Sequence, residues 1–141
     1  RGCLEAYCGT AGILDRAKAA MDKPGTVTSL REMAGKEYEH LTPKLIGDAA
    51  RKGDGVAISL WKETGKYLGI GIASLVNLFA PDMVIIGGGI GQGNWLFLGP
   101  GIKEEVKRRG MRPGNEQVKI VLASMGNDAG LIAAAALILR S

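Results

Sequence analysis

Pro81-Asp82-Met83-Val84-Ile85-Ile86-Gly87-Gly88-Gly89 is the stretch on which the fold turns. Four consecutive apolar residues, three of them β-branched, stand between a Pro-Asp pair and a run of glycines. A short continuous apolar run bounded by turn residues predicts a strand buried on both faces. Upstream, Asp54 is placed to cap a long helix over residues 55–80, with apolar positions that include Val56, Leu60, Leu68, Ile72, Leu75, Val76 and Phe79. Pro81 stops it. Gly65, Gly69 and Gly71 interrupt this helix, and predict either close packing of another element or a kink near Gly65. Downstream, the sequence predicts a helix over residues 102–109, turns over 111–115 and a second strand over 118–123. A final helix over 129–139 follows, capped by Asn127 or Asp128. Strand, helix, strand in that order predicts a parallel pair. Two strands make a poor sheet, so further strands are expected from outside this chain or from another subunit.

The amino-terminal part reads as helices. Residues 5–21 carry one apolar stripe at Tyr7, Ala11, Leu14, Ala17 and Met21, weakened by Gly9 and Gly12 and ended by Pro24-Gly25. A short helix over 28–34 starts at Thr28 or Ser29. Another starts at Thr42-Pro43, because proline suits the first helical turn, and runs to about Lys52, where Gly53 closes it. The chain therefore reads as α/β, helix-rich with a short parallel sheet, in one domain over residues 1–141.

Composition narrows the function classes. Hydrophobic residues make up 46%, charged residues 23% and aromatics 5%, and there are 22 glycines. Scarce aromatics argue against a base-stacking nucleic-acid platform. The formal charge is +4, and the densest basic cluster, Lys107-Arg108-Arg109, falls at a predicted helix end, where cations complement the dipole. No secretory signal is visible. The longest apolar stretches, 68–80 and 129–139, fall short of the roughly 20 residues that a membrane span needs, so they read as buried helices. Cys3 and Cys8 do not make a disulfide framework, and a reducing cytoplasm is the expected compartment. The opening Arg1-Gly2-Cys3-Leu4-Glu5 is structured in character, so the chain is expected to begin inside a larger protein.

Three motifs are candidates for chemistry. Gly87-Gly88-Gly89-Ile90-Gly91-Gln92-Gly93 sits at the carboxyl end of a predicted strand, where ligands bind in open α/β sheets. It fits neither the dinucleotide fingerprint nor the P-loop, so nucleotide contact and a plain strand-to-loop turn both stand. Gly126-Asn127-Asp128-Ala129-Gly130 opens a helix and has free amides, but a plain capped helix is the favoured reading. Cys3, Cys8 and a distant His40 cannot close a zinc site by themselves, since a structural site takes four ligands. Cys8 is expected to be a buried small residue and His40 a surface or interface one. Glu5, Asp15 and Glu39 stand as isolated carboxylates, and no Ser-His-Asp set or acid pair can be assembled.

Three of these segments together resemble one family. Gly2-Cys3-Leu4-Glu5 resembles the end of the ROK signature C-x-C-G-x-x-G-C-x-E. Residues 68–79, followed by Pro81 to Gly89, look like the family's long helix, strand and triple-glycine loop. Residues 123–130 are similar to the closing segment of the family's bacterial glucokinases. The resemblance runs through the whole chain and implies the carboxy-terminal portion of the actin-like ATPase (ribonuclease H-like) fold. It implies a cytoplasmic ATP- and Mg²⁺-dependent kinase of a hexose, with glucose favoured. Glu5 matches the glutamate that hydrogen-bonds sugar hydroxyls, and Gly87, Gly88 and Gly89 match the loop that approaches the nucleotide. Cys3 matches the last cysteine of a structural zinc site whose other ligands would lie upstream. The phosphate loops, the catalytic-base aspartate and the Glu-x-Gly-His sugar motif would also lie upstream, so this chain alone is expected to be inactive. The competing reading is the sugar-binding part of a ROK transcriptional repressor, for which a DNA-binding segment would precede it. A homo-oligomer is expected in either case, with the glycine-lined long helix and the apolar final helix as candidate contacts.

Overall fold

One 25-residue helix organises the molecule. The computed structural model describes residues 2–124, and the 126–130 motif and the helix expected over 129–139 lie outside them. Chain order is α1 (Leu4–Cys8), α2 (Thr10–Met21), α3 (Leu30–Ala34), α4 (Pro43–Arg51), α5 (Gly55–Phe79), β1 (Met83–Ile86), α6 (Gly88–Gly93), α7 (Trp95–Arg109), α8 (Gly114–Gln117) and β2 (Lys119–Leu122). The strands pair in parallel, with Met83 opposite Lys119 and Ile86 opposite Leu122. α6, α7 and α8 lie in the connection between them, so the strand-helix-strand expectation holds.

Local chemistry starts the helices where the sequence says. Asp54 caps α5 by accepting the Ala57 N–H through Oδ1 at 2.9 Å. Its other oxygen accepts the Thr28 hydroxyl, the Ser29 N–H and the Ser29 hydroxyl. One carboxylate therefore caps the long helix and fastens the entrance of α3 to it. Thr42 accepts the Leu45 N–H at 3.1 Å, with Pro43 in the first turn of α4. Ala80, in the left-handed region at φ 43°, ends α5 one residue before Pro81.

The glycines of α5 serve packing, and the helix runs unbroken past Gly65. A methyl group on Gly65 would lie 2.5 Å from the Leu98 carbonyl oxygen, and one on Gly69 would lie 2.9 Å from that of Ile102. Gly101 reciprocates, facing the Lys62 carbonyl at 3.3 Å. Bare glycine surfaces thus bring α5 and α7 into backbone contact, and Trp61, Ile72, Leu98 and Ile102 close the core around that seam. Gly71 makes room instead for the Leu4 side chain. Because these glycines are engaged within the chain, they give no support to an oligomer contact through the long helix.

Four expectations are corrected. β1 is not buried on both faces: Val84 and Ile86 pack against the core, whereas Met83 and Ile85 are 47% and 62% exposed. The helix expected over 5–21 breaks at Gly9, which takes an extended conformation and starts α2. The bend lets the Ala6 carbonyl lie against Gly12, where any side chain would collide with it. α7 begins seven residues before the expected start, because burial of Leu98 and Gly99 against neighbouring groups outweighs the poor helix propensity of Gly99, Pro100 and Gly101. The glycine-rich segment after β1 is itself helical, as α6.

The basic cluster ends α7 as expected. Arg108 and Arg109 both pair with Glu105, at 2.6 and 2.7 Å. The bond from Arg109, reinforced by Arg108, outweighs desolvation and holds the Glu105 carboxyl below its ordinary range. No helix among the described residues is long and apolar enough to cross a membrane.

Candidate functional site

Glu5 lies in the first turn of α1, two residues after the extended Cys3. α1 has only five residues and buries none of them, so its position is imposed by neighbours. Leu4 fills the space left by Gly71, and the Tyr7 ring lies 4.6 Å from that of Tyr67. Arg16 completes the anchor: it donates to the Tyr7 carbonyl, the Glu63 carboxylate and the Thr64 hydroxyl, and it sits over the Tyr67 ring. Gly9 leaves room for the Glu5 stem, since a Cβ there would lie 2.9 Å from Glu5 Cγ. The exposed Glu5 carboxylate faces a groove of about 380 Å³ that it shares with Cys3, Ala6, Ala11, Gly12 and Asp15. Asp15, an isolated carboxylate in the sequence, thus stands on the same groove as Glu5. The pair offers acceptors suited to a polyhydroxylated ligand, because charge-assisted hydrogen bonds to carboxylates are the stronger kind.

Gly87, Gly88 and Gly89 form the second element. Gly87 is extended and Gly88 takes φ +81°, a conformation that favours glycine, and together they turn the chain from β1 into α6. A Cβ on Gly88 or Gly89 would meet nothing within 4 Å among the described residues, so this side of the turn is open to that extent. The opposite side is closed, with Gly91 set against Ile86 Cγ2 at 2.9 Å. Three side chains hold the turn. Gln92 Nε2 donates to the Ala123 carbonyl at 3.1 Å, Asn94 Nδ2 to the Ile90 carbonyl at 3.0 Å, and Arg51 Nη1 to the Gly93 carbonyl at 2.8 Å. Between the turn and α4 runs a groove of about 400 Å³, lined by Pro43, Lys44, Arg51, Gly89, Ile90, Gly93 and Asn94. Its lining combines two apolar side chains, Pro43 and Ile90, with two cations, Lys44 and Arg51.

The zinc expectation fares differently. Cys3 is exposed and unbridged, and Cys8 is half-buried with its thiol toward the Thr64 carbonyl. Burial raises the Cys8 pKa, opposed by the Arg16 charge. His40 is exposed. No group of three or more His, Cys, Asp or Glu is arranged for a metal among the described residues. The residues here do not fit a zinc by themselves.

Sequence reasoning singled out Glu5, Cys3 and the glycines as candidates; it did not single out Arg51, Lys44 and Asn94, which line the groove beside the turn, or the bond that Gln92 makes to Ala123. The bond of Asn94 to Ile90 is local, whereas those of Arg51 and Gln92 reach across the fold, over 42 and 31 residues. Local spacing carries no signal for such pairs.

Known proteins agree with this architecture. Residues 1–141 match the ROK family along their full length. The chain is 33% identical over 138 residues to a glucokinase of Streptomyces coelicolor, covering 96% of this chain and 43% of that protein. It is 29% identical to a xylose repressor of Caldicellulosiruptor bescii, covering 98% of this chain and 34% of the repressor. A ROK family glucokinase from Streptomyces griseus, solved in complex with glucose and AMPPNP, superimposes with a TM-score of 0.79 at 28% identity, covering 97% of this chain and 44% of that one. The chain thus spans less than half the length of these proteins. It belongs to the ROK family, and its helix-rich α/β architecture with a short parallel sheet is part of the family's actin-like ATPase fold.

Proposed function

We propose that this chain contributes the sugar-contacting Glu5 and the nucleotide-contacting Gly87-Gly88-Gly89 turn to a cytoplasmic ATP-dependent hexose kinase, with glucose as the favoured hexose. The observation that carries the reading is the face of Gly88 and Gly89 left open by the described residues at the carboxyl end of β1, beside a groove with two cations. It occurs in a chain that resembles glucokinases across 96% of its length. Glu5 would accept hydrogen bonds from sugar hydroxyls and fix which one is presented. The glycine turn would admit the nucleotide close to the backbone, where a side chain would obstruct it. ATP with Mg²⁺ supplies the γ-phosphoryl group when bound, and its in-line transfer depends mainly on positioning and charge stabilisation. No residue of this chain is assigned as the general base, and we assign that role to an aspartate upstream. Cys3 is proposed as one zinc ligand, with the others upstream as well. On this reading the chain alone is inactive.

The match to a xylose repressor over 98% of the chain supports a second reading, a sugar-sensing part of a regulator. The Gly126-Asn127-Asp128-Ala129-Gly130 segment, which resembles glucokinases, favours the kinase. A coupled assay with ATP, Mg²⁺ and a panel of hexoses, run on the longest natural protein containing this chain, separates them. Phosphorylation of one hexose supports the kinase. Sugar binding without phosphorylation, together with sugar-dependent release from DNA, would replace it with the regulator.

A further inference from the structure

We infer that Arg51 is a positioning residue for the nucleotide, holding the glycine turn against α4 in the shape that receives it; this rests on the kinase reading above. The need for such a residue follows from the sequence of α6. Gly88-Gly89-Ile90-Gly91-Gln92-Gly93 contains four glycines, the poorest helix formers after proline. An isolated turn of this composition would sample many conformations, so its observed shape is imposed from outside.

Three side chains impose it, and they differ in kind. Asn94 acts within the segment, bonding back to Ile90. Gln92 fastens the turn to the end of β2 through a neutral hydrogen bond to Ala123. Arg51 fastens its far end to a separate helix through a charge-assisted bond to the Gly93 carbonyl, the stronger type. That carbonyl is one of those a helix leaves unpaired at its carboxyl end, where a cation also suits the dipole. The guanidinium is fixed from behind as well, since Nη2 reaches Asp48 Oδ1 at 2.6 Å. Arg51 is therefore held at both ends. It also lines the groove between α4 and the turn, so it borders the space in which the nucleotide is proposed to lie.

A turn pre-shaped in this way binds without ordering itself first. Losing the clasp therefore weakens the nucleotide selectively, because Glu5 and its groove are carried by α1 and α2, whereas Arg51 bonds to Gly93 and to Asp48 of its own helix. The test uses Arg51→Met and Arg51→Lys in the longest natural protein containing this chain. Steady-state kinetics are measured for both substrates, and ATP binding is measured by calorimetry without sugar.

Arg51→Met is expected to raise the ATP KM and the ATP Kd about tenfold, the loss typical of one charge-assisted bond. The hexose KM and kcat should stay within about twofold of wild type, the pattern of lost nucleotide binding alone. Arg51→Lys keeps a cationic donor and should recover part of the affinity. An unchanged ATP Kd in Arg51→Met overturns the inference. So does an equal change in both KM values and kcat with a lowered melting temperature, which marks a structural role only. Should Arg51→Met not fold, Asp48→Asn, which removes the carboxylate charge behind the guanidinium, is expected to raise the ATP KM alone, and no change there overturns the inference. A wild-type protein that neither binds nor uses ATP removes the kinase reading itself, and that outcome is visible before any variant is made.

Discussion

The Leu98 carbonyl oxygen lies 2.5 Å from the point where a side chain on Gly65 would begin. No methyl group fits at that distance, and the obstacle is backbone, which cannot swing aside as a flexible side chain can. Gly65→Ala must therefore separate α5 from α7 along the seam that carries the core. Alanine is favoured over glycine inside a helix by about 1 kcal/mol, but overpacking costs about 1–3 kcal/mol and here acts on two helices at once. A net loss of about 2 kcal/mol in urea unfolding is expected for Gly65→Ala. Gly55→Ala is the control: nothing among the described residues lies within 4 Å of its Cβ position, and its stability should stay within about 0.5 kcal/mol of wild type. Equal effects at the two sites would contradict the seam.

Asp54 links acid stability to two helix entrances. Burial raises its pKa, but the bonds from Ala57, Ser29 and Thr28 together outweigh burial and leave it below the ordinary value. A carboxylate with a lowered folded-state pKa adds stability above its unfolded pKa, near 4, and loses it as pH falls through the folded value. Asp54→Asn keeps a good N-cap but removes the titrating charge. Its unfolding free energy should therefore change less than that of wild type below about pH 4. Asp54→Ala loses both functions and should be about 2 kcal/mol less stable at pH 7. The pH dependence of chemical unfolding for the three proteins checks both statements.

Much of this architecture is legible in the sequence because its signals are local. Pro81 and the β-branched run give β1 to the residue, Asp54 and Gly55 give the start of α5, and Thr42-Pro43 gives that of α4. What is not legible is tertiary. Gly9 and Gly12 read as weak points in one helix, yet they mark a bend whose reason is the Ala6 carbonyl lying on α2. The first turns of α7 contain Gly99, Pro100 and Gly101, and packing of Leu98 and Gly101 on α5 and of Gly99 on the Trp95 ring supports that sequence as a helix. The candidate site divides in the same way. Glu5 and the three glycines are candidates through the motifs that flank them and the resemblance those motifs carry, whereas Arg51 and Gln92 act over 42 and 31 residues.

Trp61 is fully buried, and its indole N–H has no hydrogen-bond partner among the described residues. Such a donor loses its water without compensation, a penalty of about 1–3 kcal/mol. Trp61→Phe removes that donor while keeping an aromatic ring, but leaves a small void with a cost of similar size. The two should nearly cancel, giving a change within about 1 kcal/mol in urea unfolding. Trp61→Ala, which empties the site, should cost about 3–5 kcal/mol. A Trp61→Phe protein as unstable as Trp61→Ala would mean that the indole N–H is satisfied and matters.

Glu5 provides the sharpest test of the sugar side, because it is exposed and its helix buries no residue. A change there should leave folding intact, since surface substitutions typically move stability by no more than about 0.5 kcal/mol. On the proposed reading, Glu5→Gln in the longest natural protein exchanges a charged acceptor for a neutral one at the same length. Hydrogen bonds to charged groups contribute about 1.5–3 kcal/mol, so kcat/KM for the hexose should fall by about 10- to 100-fold. The ATP KM should stay within about twofold, because the glycine turn and its clasp are untouched. Arg51→Met is expected to show the reverse pattern. Together the two variants separate a sugar contact carried by α1 from a nucleotide contact carried by the turn after β1. A Glu5→Gln enzyme with wild-type kcat/KM for its hexose would remove Glu5 from the sugar site.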